Sequence, residues 1–391
     1  MRVYLDYAAT SPIKPEIRKV IEPYLTADFG NPSSIHSWGR KARAAVDEAR
    51  NQIAKFLNAD ANEIIFTSGG TEADNLAIRG VVIAFKGATH KPHLITSQIE
   101  HHAVIKTCEH LEKNGLAEVT YLKPNREGII GISQVKKAIK SNTLLISIMY
   151  VNNEIGTVQP IREIGKLIEK ENRTRKQRIY FHTDAVQAAE YQNMNVDFLH
   201  VDLLTISGHK IGAPKGIGAL YIRKNTPMKE IIFGGEQEMN LRAGTENVVG
   251  IVALGKAVSL IKINNKTIKL RDYFIEKVLK EIPEVELNGS KENRSPNNAN
   301  FYFKYIEGES ILLNLDLVGI AASSGSACTS QSLQPSHVLM SCFDHPERAH
   351  GSIRFTLGEI TTKEEIEYVI KNLKVIVNKL REMSPLYKGK K

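Results

Sequence analysis

The chain has 391 residues, of which 42% are hydrophobic and 24% are charged, so its composition is globular and excludes a disordered or collagen-like protein. Its length predicts two domains, or a large domain with a smaller one. The net charge is +9, but the basic residues are spread along the chain without an aromatic-rich stripe. We therefore expect no direct nucleic-acid partner.

The sequence gives no sign of membrane insertion or export. No apolar run approaches the ~20 residues that a membrane helix needs, and the apolar stretch at the N-terminus is too short for a signal peptide. Three cysteines in so long a chain are typical of a reducing compartment. We therefore expect a cytoplasmic protein that does not bind membranes.

Short apolar runs with strand character alternate with helical segments up to about residue 262. The predicted strands span residues 63–67, 93–97, 117–122, 144–149, 178–183, 202–207 and 218–223. Between several of them, apolar residues recur with helical spacing, as in 71–85. This alternation predicts an α/β fold with a mainly parallel seven-stranded sheet covered by helices on both faces.

The pattern changes after about residue 262. The later segments predict a helix at 271–280, a strand at 300–303, a helix at 308–317, a strand at 352–356 and a long final helix. The final helix starts with the capping box Thr362-Lys-Glu-Glu365. These elements predict a smaller α+β domain of residues 1–14 and 263–391, beside a large domain of residues 15–262.

A glycine-rich turn, Phe66-Thr-Ser-Gly-Gly-Thr-Glu72, follows the first of these strands. Backbone N–H groups at the start of the next helix attract phosphate, and Asp74 is placed to complete a helix cap. An ordinary tight turn explains the same pattern. The chain has no P-loop motif, and Gly216-Ile-Gly-Ala-Leu-Tyr221 lacks the third glycine of a dinucleotide-binding fingerprint, so both nucleotide folds are disfavoured.

An aspartate and a lysine follow two further predicted strands. Asp184 is either a helix cap or the partner of a protonated ring nitrogen. Lys210, in Ser207-Gly-His-Lys210, is either a solvated end residue or an amine that attacks a carbonyl. With the phosphate-type turn, these groups match the needs of pyridoxal phosphate (PLP), which are a phosphate cradle, a carboxylate for the ring nitrogen and an amine for the aldehyde.

Six motifs occur in order along residues 4–387. They are Asp6-Tyr-Ala-Ala-Thr10, Gly30-Asn-Pro-Ser-Ser34, Thr67-Ser-Gly-Gly-Thr-Glu72, Asn152-Asn-Glu-Ile-Gly156, Ser207-Gly-His-Lys210 and Ser323-Ser-Gly-Ser-Ala-Cys-Thr-Ser330. Together they resemble the NifS/IscS cysteine desulfurases, which are fold-type I PLP enzymes similar to class V aminotransferases. The resemblance implies a homodimer whose smaller domain carries a catalytic-cysteine loop at about 321–335.

The resemblance also implies the residues that bind the cofactor. Lys210 would hold PLP and move the substrate's α-proton, Asp184 would pair with the ring nitrogen, and His101 would stack on the ring and assist acid–base steps. The other implied cofactor-binding residues are Gly70, Thr71, Asn153, Gln187, Ser207, His209 and, from the second subunit, Thr245.

For the substrate, the resemblance implies Asn31, Asn153 and Arg354. Arg354 would hold the α-carboxylate with the bidentate geometry that a guanidinium favours, whereas its sequence pattern alone fits a solvated strand face. The implied substrate is L-cysteine, which would yield L-alanine.

Cys328 is the candidate nucleophile. A lone cysteine is commonly buried, but small polar residues on both sides of Cys328 are typical of an exposed, flexible loop. The resemblance implies that its thiolate takes the sulfur as a persulfide, passes it to an IscU-like iron–sulfur scaffold or another acceptor, and can contribute to a transferred iron–sulfur cluster. Cys108 and Cys342 fit buried positions better.

Three alternative functions stay open. Selenocysteine lyases and aminotransferases have the same fold, and a non-catalytic sulfur carrier would use Cys328 without turnover. A resident metal is a further alternative, suggested by a crowded group of potential ligands, but their spacing matches no standard zinc motif and we expect none. This group consists of Glu100, His101, His102, Cys108 and His110.

Overall fold

The computed structural model describes residues 1–85, 91–262, 265–324 and 335–387. In these ranges the strands are β1 (Val3–Tyr4), β2 (Ile64–Thr67), β3 (His93–Ser97), β4 (Glu118–Leu122), β5 (Thr143–Ser147), β6 (Tyr180–Asp184), β7 (Leu203–Ser207), β8 (Gly218–Ile222), β9 (Val285–Leu287), β10 (Asn298–Phe303), β11 (Ile320–Ala321) and β12 (Ser352–Thr356).

The helices of the same ranges are α1 (Pro15–Leu25), α2 (Ser37–Leu57), α3 (Gly70–Ala84), α4 (His102–Lys113), α5 (Ile132–Ala138), α6 (Ile161–Asn172), α7 (Val196–Leu199), α8 (Gln237–Asn240), α9 (Val248–Leu260), α10 (Lys266–Glu281), α11 (Gly308–Leu317), α12 (His337–Phe343), α13 (Pro346–His350) and α14 (Lys363–Met383). Short 3₁₀ turns cover Ala61–Glu63 and Gly208–Lys210. In the described part of the chain, no helix is long and apolar enough to cross a bilayer.

Seven strands form one large sheet in the order β2-β8-β7-β6-β5-β3-β4. Neighbouring strands from β7 to β4 are parallel, whereas β8 is antiparallel to both β7 and β2. Each of the seven predicted strands overlaps one of these strands. The predicted fold class, an α/β fold with a mainly parallel seven-stranded sheet, is confirmed.

Alternating strand residues send their side chains to opposite faces of this sheet. On β2, Ile64 and Phe66 belong to the apolar cluster that α1, α2, α6 and α9 cover, whereas Ile65 belongs to the cluster covered by α3 and α4. The strands are therefore apolar throughout because both faces of the sheet are buried under helices.

A separate apolar cluster lies around the three-stranded antiparallel sheet β9-β10-β12, with residues from α10, α11 and α14. Val3 and Leu5 from the N-terminus are part of it, and β1 pairs with β11. The predicted capping box is present, since Thr362 and Glu365 each bond the other's backbone N–H. The predicted domain limits, residues 15–262 against 1–14 with 263–391, stay a prediction.

The carboxyl ends of the parallel strands position the candidate site. Strand β6 ends at Asp184, β7 ends at Ser207 just before Lys210, and β5 leads into the Asn152–Gly156 segment. Because these ends meet at one edge of the sheet, polar residues that are far apart in sequence gather there. A cavity at the same edge is the candidate active site.

Candidate active site

A cavity of about 380 Å³ opens at the carboxyl edge of the large sheet. Ten of the residues predicted to bind the cofactor or the substrate line it: Gly70, Thr71, His101, Asn153, Asp184, Gln187, Ser207, His209, Lys210 and Arg354. Asn31 and Thr245 are exposed and are not among the described residues that line it. Cys328 and most of its predicted loop lie outside the described residues.

Lys210 reaches the N-terminal segment of the chain. Its Nζ donates hydrogen bonds to the carbonyl oxygens of Ala8 at 2.6 Å and Ala9 at 2.8 Å. Gly208, two residues before Lys210, has no room for a side chain, because a Cβ there would lie 2.7 Å from a methyl carbon of Ile217. The turn is therefore packed tightly, and the partly buried Lys210 lines the cavity.

Asp184 places a buried carboxyl group on the floor of the cavity. It is 6% exposed, and its Oδ1 accepts a hydrogen bond from the backbone N–H of Val186 at 2.9 Å. Burial raises its pKa to about 6, although the hydrogen bond from Val186 and the charge of Lys210 act in the opposite direction. The helix-cap interpretation is wrong, because turns rather than a helix follow Asp184.

Asp74 lies in the same cavity and was misjudged from the sequence. It is 1% exposed instead of capping α3, whose N-cap position is Gly69. Burial, then the charge of Asp184, raises the pKa of Asp74 well above its usual value. Its Oδ1 lies 3.6 Å from Nε2 of His182, a ring that burial keeps neutral by lowering its pKa to about 3.

The phosphate-type turn has the close packing that an anion cradle needs. Gly69 has φ +155°, which L side chains rarely adopt, and a Cβ on Gly70 would lie 2.9 Å from a methyl carbon of Val186. The N-terminus of α3 thereby faces the cavity with backbone N–H groups, beside Thr71 and Ser207. Such a helix start favours a bound phosphate.

Two neutral imidazoles border this region. Burial, then the charge of Lys210, lowers the pKa of His209 and that of His101 to about 4. His101 is the N-cap of α4, and its Nδ1 accepts the backbone N–H of Ala103 at 3.1 Å. The proton of neutral His101 is therefore on Nε2, which makes this atom a hydrogen-bond donor.

A second pair of histidines at the cavity wall was not predicted as part of the site. The rings of His102 and His337 lie 4.7 Å apart, and both line the cavity. Nε2 of His337 donates a hydrogen bond to the carbonyl oxygen of Glu100 at 2.9 Å. His337 follows the Ser323–Ser330 motif but belongs to none of the motifs that pointed to the site, so its position at the cavity wall is visible only in the folded chain.

Arg354 is a buried residue of the cavity, and the solvated-strand interpretation is wrong. It is 2% exposed on β12, and its Nη1 donates a hydrogen bond to the carbonyl oxygen of Asn153 at 2.8 Å. Its Nη2 lies 2.9 Å from Oδ1 of Asp6. Gln187 also reaches the N-terminal segment, since its Nε2 donates to the carbonyl oxygen of Ala8 at 3.0 Å.

The crowded group around Glu100 is not arranged as a metal site in the part of the chain described, where no three potential ligands converge. Glu100 instead accepts hydrogen bonds from Ser97 and from the backbone of Met149, while burial raises its pKa to about 8. Cys108 and Cys342 are both buried, as predicted, and burial raises the pKa of each thiol, that of Cys342 to about 12.

Comparison with known proteins relates this geometry to one family. The family model "Aminotransferase class-V" matches residues 3–369. The protein "Cysteine desulfurase IscS" of Dictyoglomus turgidum is 54% identical over 388 residues, which cover 98% of this chain and 96% of that protein.

Two solved structures are similar over most of the chain. A structure titled "NIFS-LIKE PROTEIN" has a TM-score of 0.89 and 31% identity, and the match covers 97% of this chain and 100% of that chain. One titled "SspA in complex with cysteine" has a TM-score of 0.81 and 39% identity, with coverage of 91% and 98%.

Proposed function

The chain belongs to the class-V aminotransferase family, and we propose that it is a cysteine desulfurase, which takes the sulfur atom from L-cysteine and leaves L-alanine. The observation that carries the proposal is the position of an amine, a buried carboxyl group and a helix N-terminus around one cavity, contributed by Lys210, Asp184 and Gly70. A relative with a cysteine desulfurase name, similar over nearly its full length, supports the same activity.

The residues of the cavity fit PLP. The buried carboxyl group of Asp184, close enough to Lys210 to feel its charge, suits a protonated ring nitrogen, while Gly70 at the start of α3 lines the cavity with backbone alone and suits a phosphate. Lys210 would hold the aldehyde group. When bound, PLP supplies a ring that takes up the negative charge developing at the substrate's Cα.

The chain's own groups provide the remaining functions at the substrate. Lys210 is the amine within the cavity that can move the α-proton, and Arg354 is the buried cation that suits the α-carboxylate. His101 presents Nε2–H as a donor, and its low pKa keeps the ring neutral and available for stacking. Asn153 orients Arg354 through its backbone carbonyl oxygen.

We propose Cys328 as the residue that receives the sulfur as a persulfide. The argument is by comparison with the other two cysteines, because Cys108 and Cys342 are buried and their raised pKa values keep them protonated at neutral pH. A protonated, buried thiol is a poor nucleophile. Cys328 itself lies outside the described residues, so its assignment depends on its sequence context and on this elimination.

We propose that two copies of the chain form the enzyme, with Thr245 reaching the phosphate of the partner's cofactor. In a single copy Thr245 is exposed and does not line the cavity. Large apolar side chains are exposed in two segments of the chain, Phe29, Ile35 and Trp38 in one and Phe233 in the segment that leads to Thr245. Covering such residues is a physical reason for a homodimer.

The proposed acceptor of the sulfur is an IscU-like iron–sulfur scaffold in the cytoplasm. The support for it is the IscS name of the relatives. In this proposal Cys328 donates its sulfur and can also ligate the iron of a cluster during transfer, while the protein holds no resident metal.

The proposed function is tested by incubating the PLP-loaded protein with L-cysteine and then measuring alanine and mapping added sulfur by mass spectrometry. We expect alanine to form and one extra sulfur to appear on Cys328, and Cys328→Ser to retain PLP but accumulate no protein-bound sulfur. Cys342→Ser is the matched control and should behave as the native protein. Native sulfide release by Cys328→Ser, or alanine formation only with an added keto acid, would contradict the proposal.

A further inference from the structure

Arg354 forms an ion pair with the N-terminal segment of the chain. Nη2 of Arg354 lies 2.9 Å from Oδ1 of Asp6, and the side chain of Arg354 is 3% exposed. A cation this far from water needs an anion nearby, because an unpaired buried charge is costly. In the described part of the chain, Asp6 is the carboxylate that pairs with Arg354.

The backbone fixes Asp6 against the strand that carries Arg354. Asp6 forms a parallel bridge with Thr356 of β12, and the N–H of Thr356 donates to the carbonyl oxygen of Leu5 at 2.7 Å. The carbonyl oxygen of Asp6 accepts the N–H of Ala9 at 3.0 Å. Asp6 is therefore a built-in neighbour of Arg354 rather than a surface side chain that meets it by chance.

The guanidinium keeps donors for a ligand despite this pair. It carries five N–H groups, of which Nη1 supplies one to the carbonyl oxygen of Asn153 and Nη2 supplies one to Asp6. The side chain of Asp6 is 19% exposed, so water also reaches its carboxylate. A substrate carboxylate at Arg354 therefore shares the cation with Asp6.

We propose that Asp6 is an affinity-determining residue of this site. It is the counter-ion of Arg354, and its negative charge repels any α-carboxylate that binds to Arg354. The inference rests on the proposed function, which assigns the α-carboxylate to Arg354. Its consequence is moderate affinity for both substrate and product. Because alanine carries the same carboxylate as cysteine, repulsion by Asp6 favours product release and returns Arg354 to a neutral pair rather than to an unpaired charge.

The test compares two ligands on the PLP-loaded protein, L-alanine and ethylamine, which lacks the carboxylate. Binding is followed by the absorbance of the cofactor. Asp6→Asn keeps the size and the acceptor oxygen of the side chain but removes its charge. We expect it to bind alanine about five- to tenfold more tightly, the effect of removing one partly buried competing charge, and to leave ethylamine affinity unchanged. Asp6→Ser, also uncharged, should tighten alanine binding in the same direction.

Alanine affinity that stays the same or falls in both Asp6 variants would overturn the proposal, as would an equal change for ethylamine. Glu190→Gln is the control, because it removes one negative charge from a partly exposed pair with Lys14. It should leave the affinities for alanine and for ethylamine unchanged. Arg354→Lys separates this proposal from the proposed function. If it leaves alanine binding at native strength, the carboxylate site itself is wrong; if it weakens alanine binding while the Asp6 variants do not tighten it, only the role of Asp6 fails.

Discussion

Nζ of Lys210 lies 2.6 Å from the carbonyl oxygen of Ala8, although 202 positions separate the two residues in the sequence. This contact brings the amine that follows β7 against the N-terminal segment, whose Asp6 pairs with Arg354. The proposed cofactor amine and the proposed carboxylate site are therefore joined by one short stretch of backbone.

Replacing Lys210 removes the amine that the proposed reaction needs twice, for holding PLP and for moving the α-proton. Lys210→Ala is expected to lower cysteine turnover by about 10³-fold or more, because no other group takes over both functions. The measurement is alanine formation from L-cysteine. Lys215→Ala, which removes an exposed neighbouring lysine, is the control and should retain native turnover. Substantial turnover by Lys210→Ala would contradict the assignment.

Asp184→Asn tests the carboxylate on the cavity floor. The amide keeps the hydrogen bond from Val186 but carries no negative charge, so it does not hold a protonated ring nitrogen. We expect turnover to fall about 100-fold or more while PLP remains bound, as measured by alanine formation and by cofactor absorbance after gel filtration. Asp197→Asn, at an exposed surface pair, serves as control. Native turnover in Asp184→Asn would show that the charge is not needed.

Glu100 gives a pH prediction whose sign follows from its pKa of about 8. Between pH 4.5, its ordinary pKa, and about pH 8, Glu100 has lost its proton in the unfolded chain but keeps it in the folded chain. The group therefore stabilises the fold below pH 4.5, and this contribution is lost as pH rises toward 8, by at most about 1.4 kcal/mol per pH unit.

Glu100→Gln keeps acceptors for Ser97 and Met149 but has no proton to lose. We expect the stability of the variant, relative to the native protein, to increase from pH 5 to pH 8, measured as the difference between their unfolding temperatures. A difference that is constant over this range, or that changes in the opposite direction, would contradict a raised pKa for Glu100.

The buried ion pair between Arg50 and Glu238 gives a stability prediction. Nη1 and Nη2 of Arg50 bond the two carboxylate oxygens of Glu238 at 2.9 and 2.7 Å, and Oε2 of Glu238 also accepts the N–H of Phe66. Arg50→Ala leaves a buried carboxylate unpaired and is expected to lower the free energy of unfolding by about 3–5 kcal/mol.

The matched control for Arg50 is Lys277→Ala, which breaks a more exposed pair with Glu281 one helical turn away. Such pairs contribute little, so we expect a loss below about 1 kcal/mol. Urea unfolding of the variants and the native protein measures both values. An Arg50→Ala loss no larger than the Lys277→Ala loss would mean that the buried pair does not support the sheet beneath the glycine-rich turn.

Much of the site could be predicted from the sequence, because several of its residues come directly after predicted strands. Gly70, Asp184 and Lys210 each come just after an apolar run, so a parallel sheet brings them to the same edge. The resemblance added Arg354, which its own pattern placed on a solvated face. The pattern of one strand does not show that its guanidinium is buried against Asn153 and Asp6.

Other parts of the site were not predictable from local pattern. Asp74 has the spacing of a helix cap, and only the packing of α3 against the sheet shows that it is buried beside His182. Ala8 contributes a backbone carbonyl oxygen, a group that every residue has, so its contact with Lys210 leaves no trace in residue type. The exposed positions of Asn31 and Thr245 likewise follow from the fold and not from their motifs.

The most direct measurement of the central claim is borohydride reduction of the PLP-loaded protein, followed by proteolysis and mass spectrometry of the peptides. The account predicts that the mass of the reduced cofactor appears on the peptide containing Lys210 and that Lys210→Ala takes up no such label. Labelling of a different lysine, or no labelling of a protein that has bound PLP, would contradict it.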